Sequence, residues 1–183
     1  MKNFLRCILI TGFIIISTSI AYSIENVKME VQKSSNSLLV KATIVPSQEF
    51  IEDFKSGLGK NLSILIELFR RWSIIPDEFI KGYLIQKTLI SDPIKDEYII
   101  KTLYEDRVVE KRFKSWQQAL NCALNIDTVK ISDINNLEEG KYYIKITVES
   151  NIKKLPSVLE HILFFIPTYE KKITKESEIF KLP

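Results

Sequence analysis

The chain has 183 residues, 45% apolar and 27% charged, with five glycines, six prolines, two cysteines and a formal net charge of +3. These proportions suit one globular domain, and they exclude a collagen-like repeat, a disordered tail and a multi-span membrane protein.

Lys2 and Arg6 precede an apolar stretch from Cys7 to Ile20, followed by Ala21, Tyr22 and Ser23. This is the order of a secretory signal peptide. Cleavage after Ser23 places Ala21 at minus three; cleavage after Ala21 places Ser19 there. Ser17, Thr18 and Ser19 interrupt the apolar run, which falls short of the roughly 18 to 20 residues that span a bilayer, so removal is expected and a retained leader is the alternative. Phe4, Leu5 and Arg6 before Cys7 lack the small residues of a lipoprotein cleavage site. Residues 1–23 are assigned to the signal peptide and 24–183 to a single β-rich domain, expected in the periplasm or outside the cell. Without the leader the chain carries 24 basic and 23 acidic residues. That balance gives no basic face for nucleic acid. One thiol, Cys122, would remain, so no internal disulfide is expected and the fold must rest on its core.

From Asn26 to Gln32 the residues alternate, Val27, Met29 and Val31 against Lys28, Glu30 and Gln32, which predicts a half-buried strand. Ser34 to Ser37 read as a turn, and Leu38, Val40, Ala42 and Ile44 continue the two-residue period, so a hairpin is expected. Ser47 is placed to cap a short helix carrying Phe50, Ile51, Phe54 and Leu58, which Gly57 or Gly59 would end. Asn61 to Trp72 is the longest strand candidate: Leu62, Ile64, Ile66 and Leu68 form its core face, and Ser63, Leu65, Glu67, Phe69 and Arg71 a mixed face. Strands follow at Phe79–Leu89, Tyr98–Leu103 and Arg107–Phe113, with connections too short for helical crossovers, so their pairing should be antiparallel.

Ser115 and Gln118 have the spacing of a capping box ahead of a helix with Trp116, Ala119, Leu120, Ala123 and Leu124 on one face. Ile126–Ile134 is a short strand candidate. Tyr142, Ile144, Ile146 and Val148 alternate with Tyr143, Lys145, Thr147 and Glu149 in the clearest strand of the chain. Pro156 would open a helix through Phe165, stopped by Pro167, and the tail from Tyr169 is weakly patterned. About seven strands with mostly hairpin-length connections and two or three short helices predict a mainly β protein, an antiparallel β-sandwich, immunoglobulin-like or related. An α+β half-open barrel is the alternative, since both architectures present the same alternation.

The order of these features resembles an exported bacterial family, domain of unknown function 4390. The pieces that carry the likeness are the leader, the Ser37–Ile44 strand, the Phe50–Leu58 helix, the Leu62–Leu68 strand ending in Arg70-Arg71-Trp72, the Phe113–Ala123 segment and Gly140-Lys141-Tyr142. Where relatives carry a tryptophan in a last strand, this sequence has Tyr169 and Phe180. The resemblance implies an exported protein with no assigned activity and no catalytic residues to carry over.

Arg70, Arg71 and Trp72 are the candidate binding residues, because two guanidinium groups beside an indole suit a lipid headgroup, a cell-wall carboxylate or an acidic protein. The competing interpretation is a strand end with solvated arginines and a tryptophan capping the core. His161, the only histidine, lies among Leu159, Ile162 and Leu163 and is expected to pack at a surface or edge. One histidine and one cysteine fall short of a zinc site, so no metal or cofactor is expected. Gly57-Leu58-Gly59-Lys60 is not a phosphate loop, since Phe54 stands where its first glycine should and Asn61 where its Ser or Thr should. The pairs Glu52-Asp53, Glu105-Asp106 and Glu138-Glu139 read as solvated charge, because paired catalytic carboxylates must face one cleft. Leu155–Phe165 is apolar nearly all round and flanked by lysines, which suits a helix buried across one end of the sandwich, with membrane contact as the alternative. The expected function is therefore an exported, non-enzymatic binding module of the bacterial envelope, its partner an envelope protein or anionic component, met at Arg70–Trp72 or at an exposed sheet edge. The alternatives are an enzyme with a site assembled from distant residues and a membrane-retained protein.

Overall fold

The computed structural model describes residues 24–34, 36–56, 59–152 and 171–182. The leader, the Gly57-Leu58 end of the first helix, the Pro156–Phe165 helix with His161, and Tyr169 lie outside the described residues.

The elements run β1 (Ile24–Ser34), β2 (Ser37–Pro46), α1 (Gln48–Lys55), β3 (Lys60–Arg71), β4 (Glu78–Asp92), β5 (Glu97–Tyr104), β6 (Arg107–Phe113), α2 (Trp116–Leu124), β7 (Asn125–Asp133), a 3-10 turn (Ile134–Asn136), β8 (Gly140–Ile152), β9 (Lys171–Glu176) and β10 (Phe180–Leu182). They form a sandwich of a three-stranded sheet, β1-β2-β7, and a seven-stranded sheet in the order β10-β8-β3-β4-β5-β6, with β9 pairing the later part of β8. Every pairing is antiparallel. The division into three and seven follows from the connections: the β3–β6 meander adds each strand beside the last, while α2 carries the chain over to the small sheet before β8 returns to pair β3.

The predicted alternation places the core. Leu38, Val40, Ala42 and Ile44 of β2 face Leu62, Ile64, Ile66 and Leu68 of β3 and Ile144, Ile146 and Val148 of β8 in one buried cluster. Each such side chain removed from water stabilises the fold by roughly 1.5–3 kcal/mol. Both helices cover the inner face of the large sheet. Ser47 caps α1 by accepting a hydrogen bond from the Phe50 amide at 3.1 Å, and Phe50 and Phe54 are buried. Two lysines on that same inner face hold the helices down. Lys60 ion-pairs with Asp53 of α1, and Lys87 donates to the carbonyls of Cys122 and Asn125, at 2.9 and 2.6 Å, at the end of α2.

Two details differ from expectation. Ser115 does precede α2, but no capping box forms: its hydroxyl donates to the Gln117 side chain at 2.8 Å and makes no cap bond. The tail adds two strands, β9 and β10, on β8. Lys-Lys-Ile-Thr-Lys-Glu has too few apolar residues to announce a strand, and three residues are too few to show a period.

Candidate functional site

β3 ends in Arg70-Arg71, and strand geometry sends the two side chains to opposite faces of the sheet. Arg70 points to the inner side, opposite Glu78 of β4 and Tyr142 of β8. Its guanidinium ion-pairs with Glu138 and donates to the Glu139 carbonyl at 2.8 Å, leaving the side chain 14% exposed. The bond to Glu138 raises the Arg70 pKa above its ordinary value. Gly140 makes this fit possible, since a Cβ there would stand 2.9 Å from Arg70 Nε. The Tyr142 hydroxyl closes the arrangement by donating to the Glu138 carbonyl at 2.7 Å. Arg70 thus clamps the lead-in of β8 to the end of β3.

Arg71 points outward and stands directly opposite Lys141 of β8, which stands directly opposite Lys181 of β10. All three residues are exposed. None of the three is in an ion pair among the described residues. Three cations in line across three strands repel one another, and their pairing among the described residues does not offset that repulsion. Three carboxylates at this end of the sheet are engaged elsewhere: Asp77 accepts from the Trp72 amide at 3.1 Å, Glu78 from the Trp72 indole at 3.4 Å, and Glu138 from Arg70.

Beyond Arg71 the chain turns through Trp72–Asp77 into β4. Trp72 lies with its ring over the Arg70 guanidinium, 4.5 Å from Cζ to the ring centroid, and is 38% exposed. Ile74 is 96% exposed and Ile75 58%, so the tip of this loop is apolar and uncovered. Below it, on the outer face, Phe79 meets Phe69 edge-on with centroids 5.7 Å apart, and Phe69 stacks on Tyr143 at 5.4 Å. Lys145 lies over Phe69 at 4.6 Å and ion-pairs with Glu67 at 3.2 Å. Burial of Tyr143, helped by its hydrogen bond to Asp77, pushes its hydroxyl up to about 12. The loop is thus anchored at its base by Asp77, Glu78 and an aromatic cluster.

Of the three candidates, the structure brings Arg71 and Trp72 to the exposed end and gives Arg70 an internal role. Sequence reasoning missed Lys141, Lys181, Ile74 and Ile75. Only the strand register aligns the two lysines with Arg71, and nothing local marks the isoleucines as uncovered.

The other sequence candidates lie apart. Lys60 is buried against Asp53 and the Phe50 ring. Cys122 is a partly buried free thiol whose carbonyl serves Lys87. Glu105 and Asp106 form the β5–β6 turn, beside an open depression of about 390 Å³ also lined by Gly82, Tyr83, Leu84, Gln86 and Leu103. Among the described residues no group of three or more His, Cys, Asp or Glu is placed to hold a metal ion, and no helix is long and apolar enough to cross a membrane.

A family model described as domain of unknown function (DUF4390) matches residues 21–177. No curated protein and no solved structure matches the chain significantly.

Proposed function

The chain belongs to the DUF4390 family, and from that premise we propose that it is an exported, non-enzymatic binding module that holds an anionic component of the bacterial cell envelope. The observation that carries this reading is the row Arg71, Lys141 and Lys181, three exposed cations in register on one face. A row whose members repel one another and have no ion-pair partner among the described residues gains free energy when an anion lies along it. Trp72, next to Arg71 in the chain, supplies an amphipathic ring at the same end of the sheet, over Arg70. The leader-like residues 1–23 support export.

A soluble polyphosphate tests the surface. The parent protein should bind it with an affinity that falls as salt rises, and the Arg71→Ser, Lys141→Ser, Lys181→Ser variant should lose that binding while keeping its unfolding midpoint. A variant that binds as the parent does overturns the assignment. Export is tested separately by intact mass of the envelope-extracted protein, which should lack the residues up to Ala21 or Ser23.

A second reading, addition of a partner strand, is favoured by β6. It is the last strand of the large sheet, and every one of its residues except Phe113 is exposed. A two-residue turn closes β5–β6 on the Tyr104 and Arg107 pair, so the backbone groups of Val108, Glu110 and Arg112 face the open edge. In a continuous antiparallel pairing of two copies of β6, a central Val109 sets Arg107 against Lys111, and a central Glu110 sets that residue against its twin. The strand's own charges, three basic and one acidic, instead suit an acidic extended segment of another protein. Val108→Pro should abolish capture of such a segment and leave the ladder to β5 intact.

A further inference from the structure

We propose that the anionic component is the surface of a lipid bilayer, with the Trp72–Asp77 loop as the element that enters it. This inference rests on the basic row as a binding surface and names what that surface meets.

Two independent observations converge at this end of the sheet. The first is the apolar tip: Ile74 and Ile75 are 96% and 58% exposed, and Trp72 and Phe79, which flank the turn, are 38% and 56% exposed. Together with Trp72 and Phe79, the two isoleucines form an apolar group at one end of the sheet, the kind of exposed surface that an interaction would cover. The second is the cationic row directly behind the tip, continuous with it through Arg71. A protein partner would need a concave pocket for the two isoleucines and a separate acidic strip for the row. An anionic bilayer provides both in its ordinary layered order, acyl chains beneath headgroups.

The side chains between the two layers fit that order. The Trp72 indole N–H is directed to Glu78 while its ring faces the Arg70 guanidinium, the amphipathic arrangement that favours tryptophan at a membrane interface. Arg71, Lys141 and Lys181 have long stems that let their charges stay among headgroups while the tip goes deeper. The base of the loop is held by the bonds of Trp72 to Asp77 and Glu78, by the stacked Phe69 and Tyr143 and by Phe79 edge-on to Phe69, so the tip is presented on a supported platform.

The experiment is co-sedimentation of the purified exported protein with phosphatidylcholine vesicles, with and without added phosphatidylglycerol, alongside polyphosphate binding. The tip variant is Ile74→Asp, Ile75→Asp, and the row variant is Arg71→Ser, Lys141→Ser. Both change exposed residues, and their unfolding midpoints check that each is folded. The parent should bind the anionic vesicles, with Trp72 emission shifting to the blue and quenched by brominated acyl chains in a Trp116→Phe background. The tip variant should lose about tenfold or more of its vesicle affinity while keeping polyphosphate binding. The row variant should lose both.

If polyphosphate binds but vesicles do not, or if the tip variant binds vesicles as the parent does, the bilayer assignment is wrong and the basic row stands. If neither polyphosphate nor vesicles bind, both fail.

Discussion

Arg71 on β3 and Lys141 on β8 stand directly opposite each other on the outer face of the large sheet, and Lys181 extends the pair into a row. Like charges so placed destabilise a sheet by about 0.2–1 kcal/mol. Lys141→Glu should therefore raise the denaturant midpoint by a stability in that range while abolishing polyanion binding. The gain should shrink in high salt, because both partners are exposed. A midpoint that falls would mean that the row is stabilised within the fold, and its argument for an external anion would go with it.

Lys87 is a different kind of cation, turned into the core to meet the carbonyls of Cys122 and Asn125. Lys87→Met keeps the apolar stem but leaves two carbonyls at the end of α2 without their donor. Urea unfolding should show a loss of about 1–3 kcal/mol.

The same lysine makes a pH prediction. Burial holds the Lys87 ammonium below its ordinary value of 10.5. The unfolded chain keeps this proton over a range in which the folded protein has begun to release it, so the Lys87 contribution to stability rises with pH between the depressed value and 10.5. Lys87→Met should remove that rise, which parallel unfolding curves at several alkaline pH values will detect.

Tyr143 acts with the opposite sign. Its hydroxyl ionises at 10.0 ordinarily and at about 12 in the fold, pushed up chiefly by burial. Its contribution is fully present below pH 10.0 and is lost as pH rises through about 12, because only the unfolded chain has given up the proton between the two values. Tyr143→Phe should flatten the decline in stability over that window. Ultraviolet titration should also lose a tyrosine that ionises near 12.

The two serines that precede the helices should separate cleanly. Ser47 is buried and its hydroxyl accepts from the Phe50 amide, so Ser47→Ala should cost about 1 kcal/mol. The Ser115 hydroxyl is spent on the Gln117 side chain, and Ser115→Ala should change stability by less than about 0.5 kcal/mol. Equal losses at both positions would contradict the difference in capping.

Local chemistry makes much of the sandwich legible in the amino-acid sequence itself. The alternation of β2, β3 and β8 is a property of neighbouring residues, and burial of one side of each strand follows from it directly. Turn residues at Ser34–Ser37 and at Glu105-Asp106 determine which strands pair by hairpin, and Ser47 marks its helix. Lys87 is illegible for the converse reason: a charged residue on an inner face contradicts the pattern, and only the carbonyl ends of α2 explain it. Arg71, Lys141 and Lys181 show the limit most plainly. Each is an ordinary surface residue in its own segment, and their meeting depends on the register of β3, β8 and β10, which is set by the long-range packing of the core rather than by adjacent residues. The exposure of Ile74 and Ile75 has the same origin, since whether an apolar side chain is covered depends on what the rest of the fold brings over it.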